Sequence, residues 1–219
     1  MTRFELARLL DHSVLKPEAT ERDINDGAAI VREWHIGYYC VQPCWVSLAV
    51  EALAGTEAQV VSVVGFPHGC DRPQAKAHAA ELAIAEGARE IDTVMNFGAL
   101  RSGDPAIVSA DIDAVVRAAQ GFPVKVILEA AALNESEKRL ACQLAVAAGA
   151  AFVKTSTGFH PGGGASVADV RLLREIVGAK LGVKASGGIR NLADTRAMLA
   201  AGANRIGTSS SAAILAALS

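Results

Sequence analysis

Aromatic side chains are scarce in this 219-residue chain, at 5% of the total. Alanine, valine, leucine and isoleucine must therefore fill most of any core. Cysteines are also few: Cys40, Cys44, Cys70 and Cys142. Four in a chain of this length do not make the disulfide framework of a small secreted domain. Cys40 and Cys44 have a spacing that zinc could use, but no second close Cys or His pair completes a site, so buried free thiols are expected. No His-Glu-x-x-His or Cys–His pair appears, which argues against metal-dependent chemistry and a hydrolytic triad. Charge of neither sign dominates: 21 Lys and Arg face 23 Asp and Glu, a formal charge of −2. With no basic stripe, nucleic acid is not an expected partner. No apolar run approaches the roughly 20 residues of a membrane-spanning helix, so a membrane is not expected either. The segment 1–8 is charged and amphipathic, unlike a secretory signal, and the expected location is the cytoplasm.

What is present is alternation. The chain is 51% hydrophobic and 20% charged, long enough for one large domain with a sizeable core. Short β-branched runs predict strands at 11–15, 38–41, 60–65, 90–96, 124–129, 152–156, 183–186 and 205–207. Alanine-rich helical patterns lie between them at 21–34, 45–53, 72–86, 106–119, 135–148, 168–177, 192–200 and 210–218. Glycines close several helices, and the joints 86–88, 148–150 and 201–203 repeat Glu-Gly-Ala or Ala-Gly-Ala before a strand. Eight strand–helix units predict a single α/β domain over 1–219, a (β/α)₈ barrel whose bottom is covered by a short N-terminal helix. A doubly wound open sheet is the alternative, but the glycine fingerprint expected after its first strand is missing.

In a barrel, function belongs at the C-terminal ends of the strands. There the sequence places Asp92 and Asn96 on strand four, Glu129 on strand five, Lys154 and Ser156 on strand six, and Lys184 and Ser186 on strand seven. Three lysines, Lys125, Lys154 and Lys184, sit inside otherwise apolar strand runs. An ammonium is costly to bury unless it is paired or deprotonated. Lys154 and Lys184 fall on neighbouring strands. Two ammoniums at about 6 Å and a dielectric of about 20 repel by roughly 3 kcal/mol, which favours a neutral amine on one of them. A neutral amine attacks an aldehyde, and the iminium it forms acidifies the adjacent carbon. Asp92 is a candidate to relay the proton. The competing reading makes all three lysines structural, paired with Glu90, Asp92 and Glu129. Lys125, at the start of its strand and away from the rim, fits that role best. Residue chemistry does not choose between Lys154 and Lys184 as nucleophile.

Strand seven runs into Ser186-Gly187-Gly188-Ile189-Arg190 and strand eight into Gly207-Thr208-Ser209-Ser210, each before a helix. Small residues at such joints expose backbone N–H groups to an anion. The loops after strands seven and eight hold phosphate in many barrels. Gly187, Gly188, Ser209 and Ser210 are the candidates there. Gly158, in the glycine-rich segment after strand six, joins them. The alternative is ordinary tight turns with Ser or Thr caps. The histidines His12, His35, His68, His78 and His160 are scattered. His35 and His78 are expected on helix surfaces, and His68 and His160 at the rim.

With these residues in view, the chain resembles the deoxyribose-phosphate aldolases, a class I family that works through a Schiff base. The likeness runs over nearly the whole length. It is carried by Asp11-His12-Ser13-Val14-Leu15-Lys16-Pro17, Cys40-Val41-Gln42-Pro43, Val64-Gly65-Phe66-Pro67-His68-Gly69, Glu90-Ile91-Asp92-Thr93-Val94-Met95-Asn96 and Lys125-Val126-Ile127-Leu128-Glu129. It continues in Phe152-Val153-Lys154-Thr155-Ser156-Thr157-Gly158-Phe159, Val183-Lys184-Ala185-Ser186-Gly187-Gly188-Ile189-Arg190 and Gly207-Thr208-Ser209-Ser210.

The resemblance implies that Lys154 forms the Schiff base, that Asp92 and Lys184 move protons and that Asp11 supports the relay. It implies reversible cleavage of 2-deoxy-D-ribose 5-phosphate to acetaldehyde and D-glyceraldehyde 3-phosphate, with the phosphate on the loops after strands six to eight. Neither metal nor organic cofactor is implied, and homo-oligomerisation is left open. Ser13 and Ala130 stand where relatives usually carry Thr. The first keeps the hydroxyl and the second loses it. Two rivals remain: a Schiff-base barrel aldolase for another sugar phosphate, and a silent barrel that only binds one. The residues around Asp92 disfavour the first, and the joint presence of Asp92, Lys154 and Lys184 disfavours the second.

Overall fold

A computed structural model describes residues 1–218 of the chain. Its eight strands are β1 (Leu10–Val14), β2 (Tyr38–Val41), β3 (Gln59–Val64), β4 (Glu90–Val94), β5 (Val124–Ile127), β6 (Phe152–Lys154), β7 (Gly182–Ser186) and β8 (Arg205–Thr208). All pair in parallel, each with the next, and β1 closes the barrel on β8. The helices are α1 (Arg3–Ala7), α2 (Glu21–Glu33), α3 (Val46–Ala52), α4 (Pro73–Ala85), α5 (Phe97–Arg101), α6 (Pro105–Ala118), α7 (Glu135–Ala147), α8 (Val167–Val177), α9 (Leu192–Ala200) and α10 (Ser211–Ala216). The expected (β/α)₈ barrel is thus the observed one, with the N-terminal helix in place.

Local chemistry explains the boundaries. Thr20 opens α2 and Asn134 opens α7, each with a reciprocal capping box whose partner is Asp23 or Glu137. At the joint between α4 and β4, Gly87 takes φ 108°, and a side chain there would meet Val50 at 3.0 Å. The main apolar core lies between strands and helices and draws on Ile91, Val126, Val153, Val183 and Ile206, among others. The sequence reading extended β4 to 96 and did not foresee α5. Asn96 instead leaves the sheet to cap α5, its side chain accepting the Ala99 N–H at 3.0 Å while Asp111 accepts its backbone N–H at 3.0 Å. A local polar partner here outcompetes the sheet ladder.

Alternation along the strands sends a second set of residues into the barrel. Towards the N-terminal ends of the strands the Arg205 guanidinium sits 3.2 Å from the centroid of the Tyr38 ring and 5.2 Å from that of Phe152. It also pairs with Glu90 at 3.0 Å. Cation–π contact and an ion pair fill this end with charge rather than aliphatic volume. Above it the interior holds buried charged residues beside a small apolar cluster of Cys40, Val61 and Val63, and there the site is built.

Candidate active site

β4 supplies Asp92, and three ammoniums converge on its buried carboxylate. Lys154 Nζ and Lys184 Nζ each donate to Oδ2 at 2.7 Å, and Lys125 Nζ donates to Oδ1 at 2.7 Å. Lys184 also pairs with Asp11, and Lys125 with Glu90 at 2.5 Å. Register explains the convergence: Lys154 on β6 and Lys184 on β7 are direct partners, and Asp92 on β4 partners Lys125 on β5. With Arg205, four cations face the three carboxylates Asp11, Glu90 and Asp92. One positive charge is in excess when all are ionised, and loss of a proton from one lysine neutralises the cluster.

Partner number now separates the lysines. Lys184 and Lys125 each contact two or more carboxylates within 4.0 Å, whereas Lys154 contacts Asp92 alone among the described residues. Burial works to lower the Lys184 pKa, but Asp11 and Asp92 outweigh it and push it above its ordinary value. Burial likewise works to raise the Asp92 carboxyl, and the three ammoniums override it and hold the carboxyl well below its usual range. Lys184 is thus held towards its ammonium form and Asp92 towards its carboxylate, and Lys154 is the amine with the fewest carboxylate partners among the described residues. The expectation that Lys125 is structural fits its pairing, but not its remoteness: it shares Asp92 with the other two lysines. Glu129, offered as a lysine partner, makes no such pair and instead accepts from Thr157.

A cavity of about 710 Å³ opens onto Lys154 and Lys184 and runs to the loops after β6, β7 and β8. Gly158, Gly187, Gly188 and Ser209 line it together with Ser186, Thr208 and Arg190. Gly158, Gly187 and Gly188 have φ of 87°, 89° and 80°, a backbone that glycine adopts without strain. Ser210 is not on the lining, and its N–H is spent on the Thr208 hydroxyl at 2.9 Å. Asp11 and Asp92 are also off the lining, buried behind the lysines they touch. A second cavity of about 820 Å³ adjoins the first, with Leu15, Thr157 and Phe159 common to both. His68 and His160 border this one, and His35 and His78 are exposed as expected.

Sequence reasoning passed over several contributors. Arg205 is a fourth cation in a strand, a signal of the same kind as the three lysines. Gly207 leaves room for the lysine cluster, since a Cβ there would lie 3.0 Å from Lys184 Cε. His12 lines the first cavity and shares a hydrogen bond of 3.1 Å with Ser211. Cys40 lies inside the barrel, its thiol pushed up to about 12 by burial and then by Asp11 and Asp92. Burial of the thiols was right for Cys40 and Cys142 but not for Cys44 and Cys70, which are exposed. Among the described residues no group of three His, Cys, Asp or Glu is placed to hold a metal ion.

Burial pushes the His12 imidazole down to about 4 against a weaker upward pull from Asp11. Between the ordinary value of about 6.5 and that lower one, the unfolded chain binds a proton here that the folded protein does not. This share of stability is complete above the ordinary value and is lost as pH falls through the window. The thermal midpoint of the wild type should therefore fall more steeply from pH 7 to pH 4.5 than that of His12→Asn. Equal slopes in scanning calorimetry would mean the imidazole is not held neutral.

A family model described as DeoC/LacD family aldolase matches residues 7–217. The deoxyribose-phosphate aldolase of Enterococcus faecalis is 51% identical over 212 residues, which cover 96% of each chain. Among solved structures, a provisionally named deoxyribose-phosphate aldolase from Coccidioides immitis superposes with a TM-score of 0.95 at 38% identity, covering 99% of this chain and 86% of that one. A tetrameric deoxyribose phosphate aldolase from Aeropyrum pernix gives a TM-score of 0.89 at 32% identity, over 98% and 91%.

Proposed function

The chain belongs to the DeoC/LacD family of aldolases, and from that membership we propose how its residues divide the work. The reaction is the reversible aldol cleavage of 2-deoxy-D-ribose 5-phosphate to acetaldehyde and D-glyceraldehyde 3-phosphate through a lysine Schiff base. Lys154 adds to the aldehyde carbon of the open-chain sugar, and loss of water gives the iminium. The C2–C3 bond breaks with its electron pair drawn into the iminium. The C3 hydroxyl gives up its proton and leaves as the aldehyde of glyceraldehyde 3-phosphate. The remaining enamine takes a proton at carbon, and water releases acetaldehyde from Lys154.

Asp92 and Lys184 carry the proton traffic. The observation behind this assignment is that Lys154 and Lys184 donate to one and the same oxygen of Asp92, each at 2.7 Å. That shared oxygen can take up the proton Lys154 gives up, and it can return one to Lys184 once Lys184 has donated its own to the substrate. Asp11 supports the relay by holding Lys184 in place. Borohydride reduction in the presence of acetaldehyde, followed by peptide mass mapping, tests the assignment. An ethyl group on Lys154 supports it, and one on Lys184 or Lys125 overturns it.

The phosphate is assigned to backbone N–H groups of Gly158, Gly187 and Gly188 with the hydroxyl of Ser209. Ser210, its N–H already engaged by Thr208, offers its hydroxyl. A Cβ on Gly188 would meet nothing within 4 Å, but φ 80° strains any side chain there, so Gly188→Asp, which adds a carboxylate at the anion's end, is read against Gly188→Asn, which carries the same strain without the charge. Gly188→Asp should raise the KM for deoxyribose 5-phosphate at least about tenfold while sparing acetaldehyde trapping at Lys154, because binding of a remote phosphate positions the sugar. Equal loss of both would point to general damage, and loss of neither to a phosphate site elsewhere.

Cytoplasmic location and homo-oligomeric assembly belong to the same reading. Supporting them, no described helix is long and apolar enough to cross a membrane, and the Aeropyrum pernix relative is tetrameric. Sedimentation of the purified chain measures the second.

A further inference from the structure

The segment just past β5 holds a residue that the reaction scheme does not use. Glu129 is 1% exposed and takes φ 54° and ψ 60°, a left-handed backbone that a glutamate adopts at a conformational cost. Its carboxylate is buried, yet the barrel's buried cations pair with Asp11, Glu90 and Asp92, and none pairs with Glu129 among the described residues. Its partners are all on Thr157. The Thr157 N–H lies 3.3 and 3.4 Å from the two carboxylate oxygens, and the Thr157 hydroxyl donates to Oε2 at 2.5 Å. The hydroxyl in turn accepts the Phe159 N–H at 3.0 Å.

The Glu129 carboxylate accepts the hydrogen bond that the Thr157 hydroxyl donates, which leaves the hydroxyl's lone pairs to the Phe159 N–H. One buried anion therefore fixes the backbone on both sides of Gly158. On its far side this loop is pressed against the β7 loop. A Cβ on Gly187 would lie 2.9 Å from Gly164 Cα and 3.2 Å from Gly158 Cα, and the Ala165 N–H donates to Gly187 O at 3.0 Å. Glu129 borders the second cavity and not the one assigned to the anion, so its charge reaches that site only through the Thr157 loop.

We propose that Glu129 is a positioning residue that latches the loop after β6 through Thr157, setting Gly158 against Gly187 for the substrate's phosphate. This rests on the assignment of the phosphate to those loops. Glu129→Gln is informative because the amide can turn its NH₂ towards the Thr157 hydroxyl and break the donor order.

The test is steady-state cleavage of deoxyribose 5-phosphate beside unphosphorylated 2-deoxyribose. Glu129→Gln and Thr157→Val should each raise the KM for the phosphorylated sugar roughly tenfold, the scale of one hydrogen bond, with kcat within about threefold. Glu129→Gln should leave kcat/KM for 2-deoxyribose unchanged. Thr157→Ser, which keeps the hydroxyl, should restore the low KM, and the double variant should be no worse than either single one. Equal losses on both sugars, strictly additive effects or an unchanged KM would each overturn the latch. So would failure of Glu129→Gln to trap acetaldehyde at Lys154, which would show that the carboxylate holds the barrel itself. Gly188→Asp separates the two ideas. If it leaves the KM for deoxyribose 5-phosphate unaltered, the phosphate assignment fails. If it raises that KM and Glu129→Gln does not, the latch alone fails.

Discussion

Lys154→Arg is expected to abolish borohydride trapping of acetaldehyde and to lower kcat for deoxyribose 5-phosphate cleavage at least ~10³-fold, the scale for loss of a covalent nucleophile. A guanidinium stays protonated and cannot add to a carbonyl. The charge beside Asp92 is retained, so the ion cluster keeps its balance and the barrel should fold. That makes the variant a test of chemistry rather than of stability. Trapping that persists in Lys154→Arg, with the label on another lysine, would move the nucleophile. Wild-type turnover without any trapping would remove the Schiff base from the mechanism.

The second large effect is expected at the partners of Lys154. Asp92→Asn keeps the shape of the side chain but ends its service as a proton acceptor, and Lys184→Leu removes the donor. Each should slow turnover at least ~100-fold, the usual scale for loss of an acid or base. Stability enters differently here. Asp92 carries three cations and Lys184 two carboxylates, and removing one member of a buried pair costs about 3–5 kcal/mol. Thermal unfolding must accompany the kinetics. A variant that melts in a single transition well above the assay temperature and still turns over near the wild-type rate would place the relay elsewhere. A competing aldolase specificity is settled by the same preparations, through cleavage of a ketose phosphate measured beside that of deoxyribose 5-phosphate.

The amino-acid sequence by itself determined the barrel. Eight apolar runs, each followed by an alanine-rich helical pattern, leave few topologies open, because parallel strands need helical crossovers. It also marked Asp92, Lys154 and Lys184, since a charge inside an apolar strand run is visible one residue at a time. The pairings were decided only by the tertiary structure. Nothing local distinguishes Lys154 from Lys184. Their difference lies in Asp11, far away in the chain, which β7 and β8 bring beside Lys184 by closing on β1. Only part of what takes Asn96 out of the sheet is local: its side chain caps Ala99 nearby, but its backbone N–H goes to Asp111 on α6. Glu129 read as one more polar end of a strand until its backbone turned left-handed and gave its carboxylate to Thr157 on the next strand's loop. Period and composition act within a segment, whereas the energy of a buried charge is set by whichever distant groups the closed barrel delivers to it.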